Sequence, residues 1–156
     1  MRRLLIVGGV LVVVCSTLLA QAPSPLFGAW KLDPAKSTFS PGPAPKSQSA
    51  KLDAMDGGMR TVADRVEADG SLTHFEWTVK FDGKDYPVKG DPGRDAVSVK
   101  KIDDFTIEIT NKKAGKTTTT IRAVYARDGK SRTETTTGTN AQGVKIKNVT
   151  VWSKVP

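Results

Sequence analysis

The chain has 156 residues, enough for one domain with a single core. Its 24 basic and 16 acidic residues give a formal charge of +8, but the basic side chains are dispersed and interleaved with acids. This excludes the basic stripe with stacking aromatics that marks a nucleic-acid binder. The one cysteine, Cys15, lies in the N-terminal apolar segment, so disulfides, thiolate metal sites and cysteine nucleophiles are excluded from everything after residue 22.

Met1-Arg2-Arg3 is a positive start, Leu4 to Ala20 is almost wholly apolar, and Ala20-Gln21-Ala22 offers small residues for cleavage. Residues 1–22 therefore read as a secretory signal peptide, cut near Ala20 to Ala22, with residues 23–156 as one exported domain, periplasmic or secreted. A retained anchor fits less well, because Pro23 and Pro25 end the segment and no basic stop-transfer cluster follows. Lipidation at Cys15 fits poorly too, since the bulky Val14 precedes it.

The first strand expected after this is 27–33, in Leu26-Phe27-Gly28-Ala29-Trp30-Lys31-Leu32. Residues 34–47 carry four prolines and no strand pattern, and read as a Pro-rich loop that can act as a lid. Phe39, the one large apolar group of that loop, either docks it on a barrel rim or closes a portal. From there turns recur evenly: Asp56-Gly57, Asp69-Gly70 and Asp82-Gly83 at intervals of thirteen, then Gly115, Gly129 and Gly143 at fourteen. Asp-Gly supplies the positive φ of primed hairpin turns, so each marks a hairpin.

Further strands are expected over 48–55, 59–68, 71–81, 84–89, 96–102, 104–110, 117–127, 130–139 and 144–153. Alternation is clearest in Thr73, Phe75, Trp77, Val79 and Phe81 against His74, Glu76, Thr78 and Lys80. Large aliphatic residues are sparse, and the threonine runs 117–120 and 135–137 supply strand propensity without adding to a core. The fold expected is all-β: an up-and-down antiparallel meander closing into a single barrel of eight to ten strands, because closure removes both sheet edges. An immunoglobulin-like sandwich is the competing architecture.

Phe27-Gly28-Ala29-Trp30, the long loop after it and the up-and-down strand series resemble small bacterial lipocalin-like (calycin) proteins. Trp30-Lys31-Leu32-Asp33-Pro34-Ala35-Lys36-Ser37 is similar to the start of a group of exported bacterial proteins. The resemblance implies that Gly28 and Trp30 close the barrel base and that a basic side chain from a late strand, Arg132 or Arg122, packs on Trp30. It also implies a lid within Ser37 to Pro45. The short helix that follows the barrel in full lipocalins has no counterpart in the residues up to Pro156. The Arg-x-Tyr pair of fatty-acid-binding relatives is replaced by Arg122-Ala123-Val124-Tyr125, so no ligand class is carried over.

Catalytic signatures are absent from the sequence. His74, the one histidine, stands two residues from Glu76 on a single strand and lacks the further ligands a zinc site needs. Asp103-Asp104 reads as a hairpin tip, and Asp91-Pro92-Gly93-Arg94-Asp95 as a turn too sparse in oxygen ligands for calcium. The expectation is a non-enzyme without cofactor or metal. Phe75, Trp77, Phe81, Tyr86, Phe105 and Tyr125 either form a solid core or, with Phe39, surround a cavity. In that second case Phe75, Trp77, Tyr86, Phe105, Tyr125 and Phe39 are the candidate ligand-binding residues. The function expected is an exported monomer holding a small apolar or amphipathic ligand, with no stable membrane insertion of residues 23–156. A filled barrel that meets envelope or extracellular partners through its basic surface is the alternative.

Overall fold

The computed structural model of the chain describes residues 24–140 and 142–156; the expected signal peptide lies outside them. The strands in order are β1 Gly28–Thr38, β2 Ser47–Met55, β3 Gly58–Val66, β4 Leu72–Lys80, β5 Tyr86–Lys89, β6 Ala96–Asp103, β7 Thr106–Lys113, β8 Lys116–Tyr125, β9 Ser131–Thr139 and β10 Lys145–Val155. Each pairs antiparallel with the next, and β10 returns to β1 through Ala29↔Val155 to Asp33↔Val151, closing a ten-stranded barrel among the described residues. The order 1-10-9-8-7-6-5-4-3-2 contains no Greek-key crossing, so the sandwich is excluded.

The turns explain this regularity. All six evenly spaced glycines, Gly57, Gly70, Gly83, Gly115, Gly129 and Gly143, have positive φ between 66 and 95°. Beside several of them an Asp or Asn side chain accepts a hydrogen bond from the backbone two residues on: Asp69 from Ser71 at 2.8 Å, Asp82 from Lys84 at 3.0 Å and Asp128 from Lys130 at 2.9 Å. Such bonds satisfy donors that a tight turn would leave free.

Strand alternation decides what is buried. Phe75, Trp77 and Val79 point inward from β4, Ile107 and Ile109 from β7, Ala123 and Tyr125 from β8, and Trp152 from β10. Trp30, Leu26, Met59, Val97 and Val99 join them at almost no exposure. Phe81, expected at the end of the β4 face, lies beyond the strand and is only half-buried against this core.

The reading of residues 34–47 as a loop is corrected at both ends. β1 runs on to Thr38 and β2 begins at Ser47, leaving 39–46 as the connection. The strand continues through Pro34 because it bulges: Asp33 pairs with Val151 and Thr38 with Val149, so residues 34–37 lie opposite Thr150 alone. Ser37 repairs the interrupted ladder. Its hydroxyl donates to the Asp33 carbonyl at 2.7 Å and accepts the Val151 N–H at 3.0 Å. A bulge is also where a residue without an N–H is tolerated in a sheet. The 39–46 connection is fastened to β10 by Ser40 N–H to Asn148 Oδ1 at 2.9 Å, and to β3 by Lys46 N–H to the Val66 carbonyl at 2.8 Å.

The barrel is least continuous at β5, which has four residues and two register pairs to each neighbour. No helix of the described residues is long and apolar enough to cross a membrane.

Candidate functional site

The closed end is built around Trp30. Its indole N–H donates to the Leu26 carbonyl at 3.1 Å, which satisfies the one polar atom of a fully buried ring. The guanidinium of Arg132 lies 5.0 Å from the Trp30 ring and 4.5 Å from the Trp152 ring, and Tyr125 meets Trp30 edge-on at 5.5 Å. The Lys154 ammonium also lies 5.0 Å from Trp30 and donates to the Pro25 carbonyl at 3.2 Å; burial lowers its pKa from the usual lysine value. Gly28 belongs to this floor. Its φ of +124° is one that L side chains rarely adopt, and a methyl there would sit 3.3 Å from Lys154 Cε.

Of the two arginines open from sequence, Arg132 packs on Trp30. Arg122 is exposed on the outer face of β8, opposite Glu108 of β7. Arg132 is 5% exposed, donates to the Tyr125 hydroxyl at 3.3 Å and pairs with Glu134 at 3.1 Å. A charge this deep is tolerable only when paired and hydrogen-bonded.

Above this floor lies a cavity of about 80 Å³. Met59, Phe75, Trp77, Ile109, Ile121 and Trp152 give it an apolar wall, and Gln48, Thr61, Arg94, Tyr125, Arg132 and Glu134 add polar groups. Above it a mouth of about 370 Å³ opens under Phe39, Pro43 and Pro45 of the 39–46 segment. Gln48, Phe75, Arg94, Ile121, Glu134 and Trp152 border both spaces, so mouth and cavity are neighbours along the barrel axis.

Inward-folded ion pairs line the mouth. Arg94 Nε pairs with Asp91 at 3.0 Å, with the two side chains 13% and 8% exposed, and its Nη1 donates to Asn111 Oδ1 at 2.6 Å. Asn111 in turn donates to the Thr119 hydroxyl at 2.9 Å. Burial pulls the Arg94 pKa below the usual guanidinium value, and Asp91 opposes that shift. Arg65 pairs with Glu67 at 2.6 Å. The Arg94 guanidinium lies 4.7 Å from the Phe75 ring and that of Arg65 lies 5.8 Å from it.

The structure thus gathers Phe75, Trp77 and Tyr125 around one cavity and sets Phe39 over its mouth. It does not bring Tyr86 or Phe105 there. Tyr86 begins the short β5, is half-exposed and donates its hydroxyl to Asp82 at 3.0 Å. Phe105 sits in the turn before β7, where strand alternation does not govern its direction, and lies 5.0 Å from the Arg127 guanidinium.

Sequence reasoning missed Arg94 and Asp91, read as a surface turn, because no periodicity tells which way a loop side chain points. Glu134 and Asn111 carried a usable signal: each follows an inward residue, Arg132 or Ile109, by two positions. His74 is on the outer face, paired with Asp64 at 2.7 Å, while the neighbouring Glu76 binds Arg60 at 2.7 Å instead.

Compared with protein-family models, curated proteins and solved structures, the chain matches none of them.

Proposed function

We propose that this is an exported, lipocalin-like binding protein that holds one small amphipathic molecule inside the barrel. The observation that supports this is the shared border of the 80 Å³ cavity and the 370 Å³ mouth. The mouth lies near the lower end of the roughly 300–1,000 Å³ typical of ligand sites, whereas the cavity alone is too small for a whole ligand. An apolar part would lie against Phe75, Trp77 and Ile121. A polar part would remain level with Arg94, Asn111 and Glu134, which an all-apolar occupant would leave further desolvated. The 39–46 segment serves as the cover, and residues 1–22 direct export. Membership of the calycins is part of this proposal, supported by the stacking of Arg132 on Trp30 above Gly28. The protein works as a monomer and without catalysis.

A filled barrel acting through its basic surface is the second reading, favoured by the small size of the inner cavity. Native mass spectrometry of the protein from its source separates the two. A reproducible bound small molecule, with a change in Trp fluorescence on rebinding, is expected. A clean unliganded mass, with no fluorescence response to amphipathic compounds, overturns the binding reading.

A further inference from the structure

The wall of the mouth is divided by charge. On one side, Arg65 and Glu67 come from the end of β3 and the turn after it, and Asp91 and Arg94 from the loop before β6. The opposite arc, from β7 through β10 to β2, presents uncharged amides and hydroxyls. These are Asn111 on β7, Thr119 on β8, Thr136 on β9, Asn148 on β10 and Gln48 on β2. Gln48, Thr119, Thr136 and Asn148 are half-buried, so an occupant of the mouth can reach them.

The charged side chains that border the mouth are already matched: Arg65 with Glu67 at 2.6 Å, Arg94 with Asp91 at 3.0 Å and Glu134 with Arg132 at 3.1 Å. A charged head group would either enter unmatched or break one of these pairs. The uncharged arc offers hydrogen bonds of both kinds. Thr119 accepts from Asn111 at 2.9 Å, so its own O–H remains to be donated. Asn148 Oδ1 accepts the Ser40 N–H at 2.9 Å, which leaves the Asn148 amide N–H groups as donors. Gln48 and Thr136 each carry a donor and an acceptor. Carboxylates and phosphates only accept and ammonium groups only donate, whereas a hydroxyl does both. Phe39, half-buried above the mouth, adds an aromatic ring on which the C–H face of a sugar can pack. The mouth of about 370 Å³ has room for a ring, and the cavity of about 80 Å³ only for the end of a tail.

Building on the binding function above, we propose that the ligand carries an uncharged polyhydroxylated head of hexose size on an apolar tail. The tail points inward past Phe75 to the cavity. The head lies in the mouth, between Phe39 and the arc of Gln48, Thr119, Thr136 and Asn148, which selects it over charged heads.

The test compares probes that share an octyl tail, at neutral pH and below their aggregation concentrations, by calorimetry and Trp fluorescence. They are octyl glucoside, 1-octanol, octanoate, octylammonium and octylphosphocholine. On the wild-type protein the glucoside should bind about tenfold more tightly than 1-octanol, the gain of one or two net hydrogen bonds. It should also bind about tenfold more tightly than the charged and zwitterionic probes. Gln48→Met and Thr136→Val, made separately, should each weaken the glucoside roughly three- to tenfold and leave 1-octanol within about twofold. A charged or zwitterionic probe binding as tightly as the glucoside, 1-octanol doing so, or neither substitution weakening the glucoside each overturns the assignment of the head, while the binding function stands. If none of the octyl probes binds but another amphiphile shifts the native mass, the head assignment likewise falls alone. If nothing binds, both fall.

Discussion

Arg132 is held by three aromatic residues and one acid: Trp30 at 5.0 Å, Trp152 at 4.5 Å, Tyr125 at 5.7 Å and Glu134 at 3.1 Å. Stacking on aromatic faces uses the weak hydration of a planar guanidinium, which a lysine ammonium does not share. Removing the cation would strand Glu134 in a largely buried position. Arg132→Met should therefore destabilise the fold by about 3–5 kcal/mol in urea unfolding, and adding Glu134→Met should restore most of the loss. If the double variant is no more stable than the single one, stacking rather than charge pairing dominates this site. Arg94 differs from Arg132 in that a loop delivers it, and its bonds to Asp91 and Asn111 tie that loop down at the mouth.

Among the elements, β1 does the most to position the site. Its first half supplies Gly28 and Trp30 to the floor and its second half, past the bulge, leads into the segment above the mouth. Ser37 bridges the two halves through its bonds to the Asp33 carbonyl and the Val151 N–H. Ser37→Ala should cost about 1–2 kcal/mol and should speed hydrogen exchange at the Val151 amide more than at the Val155 amide. Equal protection at Val151 in both proteins would show that the ladder closes without the hydroxyl. The physical sense of Leu32-Asp33-Pro34-Ala35-Lys36-Ser37 follows: Asp33 and Ser37 are the bonding residues of a bulge in which Pro34 lacks an N–H.

For the molecule as a whole, acids at turns and on the outer faces are held in the charged form. Asp33 is bonded by Lys36, Asp69 by the Ser71 N–H, Glu76 by Arg60, Asp82 by the Lys84 N–H and Asp103 by the Phe105 N–H. Each has a pKa below its ordinary value, 3.8 for the aspartates and 4.5 for the glutamate. A depressed carboxyl pKa in the folded state stabilises it above the unfolded value and loses that stabilisation as pH falls through the folded one. The melting temperature should stay level from pH 7 to about 5 and decline below about 4. A steep decline already between pH 7 and 5 would point to groups other than these carboxylates. These sites are exposed or half-exposed, so each contributes little and the effect is collective.

The amino-acid sequence by itself determined the barrel. Glycine turns at even intervals and period-two alternation are local properties, and ten short strands joined by tight turns have closure as the way to remove their edges. Alternation likewise identified Phe75, Trp77 and Tyr125 as inward, and the Gly28-Ala29-Trp30 spacing identified the closed end. Tertiary structure alone decided what faces what across the barrel. The choice of Arg132 over Arg122 depends on the face that β9 and β8 present at that height. The inward turn of Arg94 and Asp91 depends on loop geometry that carries no periodicity. That Arg132 lines the same cavity as Thr61 and Trp77 depends on the closed barrel, which sets β9 across the interior from the β3–β4 hairpin. Local pattern specifies which residues point in, and even the interior ion pairs are local (Arg65–Glu67, Asp91–Arg94, Arg132–Glu134), but which inward groups share one cavity is set by all the strands and loops that line it once β10 returns to β1.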